Sequence, residues 1–205
     1  FRPTIMNHHE QISVNGTWCD SHGRERIEVT HSTTEEVMAI VADGTAQDVE
    51  DAVKAAHGAF DAFASTSVAF RAQLLERLAD ELTARVEELT TMIASEVGMP
   101  VRLTEAIQVR GPIEAVRYYA RLIGDNDFEH KEGVSTIVRE PVGVVACITP
   151  WNFPLNQIIA KVAPAIAAGC TVVLKPSEVA PLNAYVLAEA CDAAGFPPGV
   201  FNLVS

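Results

Sequence analysis

The chain is expected to fold as an α/β protein, a parallel sheet in its last third preceded by a helical N-terminal region. Two patterns predict this. From Val142 onward, apolar runs alternate with helix-length segments, with strands at 142–148, 171–174 and 200–204 and helices at about 156–168 and 181–194. Such alternation implies parallel βαβ units with right-handed crossovers, and strands this apolar are covered on both faces. Upstream, apolar residues instead recur at helical spacing over long stretches. Composition agrees with a packed globular chain: of 205 residues, 48% are hydrophobic and 20% charged.

The N-terminal part reads first as strands. Ile12-Ser13-Val14 enters a turn at Asn15-Gly16, and Glu28–His31 and Glu36–Val41 can form further short strands. Thr45-Ala46-Gln47-Asp48 has the form of a helix capping box. Val49, Ala52, Val53, Ala56, Phe60 and Phe63 then mark one buried helical face. A second helical stretch, 68–97, carries its apolar stripe on Leu75, Leu78, Leu82, Val86, Leu89 and Ile93 and reads as one helix or as two joined near Arg85. Gly98 and Pro100 stop it. A third spans 104–123 with Gly111-Pro112 inside, which predicts a kink or break. Val134–Arg139 reads as one extended strand, and Pro164 weakens the helix at 156–168 locally.

The net charge is −12. That balance argues against nucleic acid and against an anionic membrane surface as partners, though helix ends and local lysines still bind small anions. No apolar run approaches the ~20 residues of a membrane span. Cys19, Cys147, Cys170 and Cys191 show no CxxC spacing and no metal-ligand pattern, so no metal site is expected. They read as buried thiols of a reducing, cytoplasmic compartment. The pair His8-His9 reads as solvated.

In an open parallel sheet, ligands bind at the carboxyl ends of the strands. Asn152 and Lys175 each follow a strand end, so adjacent strands bring them to one rim. Pro150 and Pro154 stiffen the turn that carries Asn152. An amide on such a mount can donate to an oxyanion as a carbonyl becomes tetrahedral. An Asn that caps the next helix or closes the turn explains the residue equally well. Lys175 and Glu178 can both reach a ribose diol, and the carboxylate repels a 2′-phosphate, which favours NAD over NADP. A plain surface turn, with Ser177 capping the next helix, is the alternative.

Taken together, the run from Glu140 through Pro150-Trp151-Asn152-Phe153-Pro154-Leu155, with Lys161, Pro164-Ala165, Ala168-Gly169 and Lys175-Pro176-Ser177-Glu178, resembles the aldehyde dehydrogenase superfamily. Pro197–Asn202 resembles the family's next turn and strand, and Arg71–Gly98 its paired opening helices. His31–Thr34 and Met99 depart from the usual Asn-Pro-Ala-Thr-like turn and Lys. The resemblance implies an aldehyde-dehydrogenase-like, Rossmann-type parallel sheet, present in part. Residues 1–128 would be the N-terminal strands and helices of the cofactor domain, 129–141 a bridging strand that pairs subunits, and 142–205 the first βαβαβ part of the NAD-binding domain. Asn152 would be the oxyanion donor. Ile148, Thr149, Pro150 and Trp151 would line the cofactor cleft, and Lys175, Ser177 and Glu178 would hold the adenosine ribose. Phe153 and Gln157 would border the aldehyde tunnel, and Glu96 would lie near a monovalent-cation site of some relatives. The cofactor implied is NAD, with NADP possible. The partners implied are an aldehyde and further copies of the chain, in a dimer or tetramer.

The same resemblance places the nucleophilic cysteine, the general-base glutamate and the glycine-rich turn downstream of Ser205, in a catalytic domain absent from this sequence. The implied reaction is oxidation of an aldehyde to a carboxylic acid by the parent enzyme, this chain alone being inactive. The alternatives are a truncated, non-catalytic module that binds nucleotide or pairs with a subunit, and a dehydrogenase that passes the acyl group to coenzyme A. The sheet is expected to end on Phe201–Val204 as an unpaired apolar edge, which would make the isolated chain poorly soluble or associated.

Overall fold

The computed structural model describes residues 10–126 and 128–205; His8-His9 lies outside them. The strands are β1 (Gln11–Val14), β2 (Thr17–Asp20), β3 (Arg26–Thr30), β4 (Val37–Ala42), β5 (Glu129–Glu132), β6 (Ser135–Val138), β7 (Val144–Ile148), β8 (Thr171–Lys175) and β9 (Phe201–Leu203). The helices are α1 (Ala46–Ala64), α2 (Val68–Ala84), α3 (Val86–Val97), the single turn α4 (Val101–Leu103), α5 (Gly111–Leu122), α6 (Pro154–Ala168) and α7 (Leu182–Ala194). A π-helical segment, Thr104–Arg110, joins α4 to α5.

The central sheet has the order β2-β1-β9-β8-β7. The pairs β7/β8 and β8/β9 are parallel, as the alternating pattern predicts. The expected bare edge at β9 is absent, because β1 pairs antiparallel with β9 through Ser13 and Leu203, and β2 lies beyond β1. The β1–β2 hairpin comes from the other end of the sequence, so nothing local to residues 200–204 announces it. The β-edge argument for poor solubility falls with it.

Alternation along β8 divides two cores. Val172 and Leu174 join the larger one, built with α2, α3, α5, α6 and α7, while Val173 faces Ala52 and Ala56 of α1. The sheet is thus covered on both faces. The capping box at Thr45 is formed, with Asp48 N donating to the Thr45 hydroxyl (3.3 Å) and Thr45 N donating to the Asp48 carboxylate (2.7 Å). Residues 68–97 form two helices joined at Arg85, and Gly98 ends the second in the left-handed region (φ 76°).

Two local expectations change. Residues 129–141 contain a hairpin and not one strand: β5 pairs with β6 in antiparallel register. The charged run Glu129-His130-Lys131-Glu132 has no apolar alternation to mark it as a strand, because both faces are largely wet. Pro164 does not interrupt α6, since nine residues of that helix are buried and their packing outweighs one lost backbone bond. The kink or break expected at Gly111-Pro112 takes the form of a change of helix type, the π-helical segment ending at Arg110 and α5 beginning at Gly111 with Pro112 in its first turn.

Candidate active site

Parallel pairing sets Ile148 in register with Lys175, and Thr149 N donates to the Lys175 carbonyl at 3.2 Å. The turn after β7 and the loop after β8 therefore share one rim, as strand ends of a parallel sheet must.

The Asn152 side chain is exposed and makes no hydrogen bond among the described residues. Helix α6 begins with Phe153 as its N-cap and has no side-chain cap. Asn152 thus neither caps the helix nor closes the turn, which removes the structural explanation of this residue. Its backbone is engaged, since Gln108 Nε2 donates to the Asn152 carbonyl at 3.3 Å. Ile148 (70% exposed) and Trp151 (50%) stand open on the rim, and Pro150 is exposed beside them. Thr149 is buried, with its N–H spent on the Lys175 carbonyl. Phe153 is exposed at the mouth of α6. Gln157 is half-buried one turn further on, its Oε1 accepting from Lys161 Nζ at 3.3 Å.

On the β8 side, Lys175 Nζ lies 3.3 Å from Glu178 Oε2, with both side chains largely in solvent. A bond from its own backbone amide, and then the Lys175 ammonium, hold the Glu178 carboxyl below the usual carboxylate range. Ser177 is buried and does not cap α7. Its hydroxyl accepts from Val179 N at 3.2 Å and closes the loop itself. The N-terminus of α7 is met from α3, where the buried Glu96 carboxyl accepts from Leu182 N at 2.9 Å. Burial pushes this carboxyl up to about 8.

Three of the four thiols are shifted away from the reactive thiolate. Burial pushes Cys147 up to about 11 and Cys191 well above the ordinary thiol value. Cys19 is raised by burial and by Asp48, and Cys170 is buried. A thiol needs a lowered pKa or a neighbouring base to act as a nucleophile, and Cys19, Cys147 and Cys191 are all shifted the other way. A hollow between β4 and α3, lined by His31, Glu36 and Ser95 among others, shares no residue with the rim. The His31 ring is committed there to its own turn, accepting from Thr33 N and Thr34 N.

Residues 18–205 match the family model described as the aldehyde dehydrogenase family. The chain belongs to that family. Among aldehyde dehydrogenases it is 43% identical over 201 residues to 3-succinoylsemialdehyde-pyridine dehydrogenase of a Pseudomonas species, which takes in 98% of this chain and 42% of the relative. A putative aldehyde dehydrogenase of Staphylococcus haemolyticus is 40% identical over 200 residues, again 98% of this chain and 42% of the relative. A mutant of aldehyde dehydrogenase C from Pseudomonas syringae, solved with NAD+ and octanal, superposes with a TM-score of 0.95 at 47% identity over 96% of this chain and 41% of that one. The NAD+ complex of the Bacillus cereus aldehyde dehydrogenase superposes with a TM-score of 0.92 at 36% identity over 97% of this chain and 42% of its own. The chain thus spans about two fifths of the length of these aldehyde dehydrogenases.

Gln108 is the rim residue that sequence reasoning missed. The available signal was a pair of polar residues, Thr104 and Gln108, one helical turn apart on a side that proves wholly buried.

Proposed function

We propose that the protein takes part in the NAD-dependent oxidation of an aldehyde to a carboxylic acid, this chain supplying the oxyanion amide and part of the cofactor cleft. The observation that carries the reading is the Asn152 amide, exposed, unbonded and mounted between two prolines on the same rim as the Lys175–Glu178 pair. An unspent donor on a stiff turn is suited to charge that appears only as a carbonyl is attacked. Membership of the family, and the aldehyde and NAD+ named for the solved relatives, support the same reading.

The residues present fit a dinucleotide. Glu178 is held ionised and can accept from two ribose hydroxyls, Lys175 lies beside it, and the exposed Ile148 gives an apolar surface to a base. Pro150, Trp151 and the Thr149 backbone would form the adjoining wall, with Ser177 keeping the loop in shape. Bound NAD supplies the acceptor for the two electrons of the oxidation. Glu178 disfavours a 2′-phosphate at that position by charge, so NAD is preferred to NADP. Asn152 donates to the carbonyl oxygen as negative charge builds on it, and Phe153 and Gln157 border the path of the aldehyde. The β5–β6 hairpin, with Val134, Ile137 and Val138 exposed, would join copies of the protein into a dimer or tetramer.

The test is NADH formation from aldehydes, octanal among them, by the protein expressed from its complete reading frame. Asn152→Ala is expected to lower kcat by ~10²–10³ at unchanged fold. Turnover that survives this substitution within a few-fold would sink the role given to Asn152. Failure of every aldehyde to reduce NAD, in protein that still binds NAD, would overturn the reaction itself.

A further inference from the structure

We propose that Gln108 is a positioning residue for Asn152, setting the direction of the amide through the backbone of its turn. This rests on the reading of Asn152 as the oxyanion donor. The argument begins with torsions. Pro150 and Pro154 have fixed φ, and Phe153, preceding a proline, is kept out of the helical region and sits at φ −140°, ψ 66°. Neither proline fixes ψ of Asn152, which rotates its own carbonyl. That carbonyl is the atom Gln108 Nε2 holds at 3.3 Å. Once it is held, the peptide plane after Asn152 is set, and the side chain leaves a fixed Cα.

Two independent observations point to the same role. First, Gln108 is fully buried, and its Oε1 has no hydrogen-bond partner among the described residues. A buried amide with half its polarity unmet is a poor choice for packing, where Leu or Met would serve without that cost. Polar groups of this kind collect where function requires them. Second, Gln108 lies within the π-helical segment, and Pro112 accounts for that segment. Four residues after Gln108, Pro112 has no N–H to give the Gln108 carbonyl, and its ring crowds that carbonyl. The chain widens, so that Gly111 N bonds to the Ala106 carbonyl five residues back. Widened turns of this sort are concentrated at functional sites, where they re-aim a side chain.

The experiment is a double-mutant cycle on the protein expressed from its complete reading frame, with Gln108→Leu, Asn152→Ala and the pair. NAD affinity is read separately from quenching of tryptophan fluorescence. Gln108→Leu is expected to lower kcat by roughly 10- to 100-fold, the scale of a misplaced catalytic group, with NAD affinity unchanged within about twofold. In the Asn152→Ala background the same change should cost less than about threefold, because groups acting as a unit are not additive. An equal cost in both backgrounds would make Gln108 a packing residue and overturn the proposal, as would a kcat within threefold of the parent. If Asn152→Ala alone leaves kcat intact, the fault lies in the oxyanion reading, and the proposal falls with it. Should Gln108→Leu not yield folded protein, Gln108→Asn runs the same cycle with the amide kept and its reach shortened.

Discussion

Asn152 and Asn202 carry the same side chain in opposite settings. Asn202, in β9, is fully buried and bonds on every side. Its Oδ1 accepts from Asn15 N at 2.9 Å, and its Nδ2 donates to the carbonyls of Val172 at 3.1 Å and Gly199 at 2.8 Å. One amide thereby ties the β1–β2 turn, strand β8 and the turn before β9. Asn152 is exposed, makes no side-chain bond, and has only its backbone held. The difference teaches how to read polar groups in this fold. A saturated side chain is stabilising the structure, whereas a rigidly mounted, unsaturated one is available to a ligand.

The sharpest way to break that comparison is to remove both amides. Asn152→Ala should produce the largest effect of all, the ~10²–10³ loss in kcat, with stability within about 0.5 kcal/mol of the parent. Asn202→Ala should do the reverse. It removes one hydrogen bond from a buried turn N–H and one from each of two carbonyls, which should cost about 2–4 kcal/mol in urea unfolding, while kcat per folded molecule is unchanged. If either variant moves both readouts together, saturation does not separate the two roles.

Asp48 extends the comparison to carboxylates. It is buried, and its oxygens accept from His22 N at 3.0 Å, from Thr45 N and the Ser21 hydroxyl at 2.7 Å each, and from the Thr45 hydroxyl at 2.7 Å. Burial alone would raise this carboxyl, but those amides and hydroxyls outweigh it and hold it at about 2, against an ordinary 3.8. The contribution is therefore fully present above the ordinary value and lost as pH falls through the folded one, and it amounts to about 2 kcal/mol. Asp48→Asn should remove that amount at neutral pH and flatten the acid limb of the stability curve between those two values. An acid limb unchanged in the variant would mean that the bonds around Asp48 are not what lowers it.

What could be read from the sequence follows the same division. Asn152, Lys175 and Glu178 were legible because their setting is local: apolar strand, proline, then a polar residue at the strand end. The parallel β7–β8–β9 core was legible for the same reason, strand and helix periodicities alternating without interruption. The partners of Asn202 were not, since Asn15 lies at the other end of the chain. The same separation hid the covered edge of β9, because β1 carries no mark of where it will pair. Gln108 escaped because it is polar: it lies on the buried stripe of Thr104, Gln108, Pro112, Val116 and Ala120, where apolar residues are what marks a buried face. The β5 strand was hidden by its charges, because a strand wet on both faces has no alternation to show.

Glu178 gives the smallest and most discriminating test, as the exposed counterpart of Asp48. Its ion pair with Lys175 is largely in solvent, where such pairs contribute little to folding. Glu178→Gln should therefore leave the melting temperature unmoved while weakening NAD binding by about tenfold, the loss of one charged acceptor to a ribose hydroxyl. Its discrimination against NADP should fall at the same time, because the repelling charge is gone. Since the carboxyl is held below the usual range, the parent's NAD affinity should stay flat from neutral pH down to ordinary carboxylate values. Below that it should decline as Glu178 takes up a proton, and the Gln variant should show no such decline. A Glu178→Gln protein that loses stability as Asp48→Asn does, yet binds NAD as tightly as its parent, would place Glu178 among the structural carboxylates and leave the ribose without its acceptor.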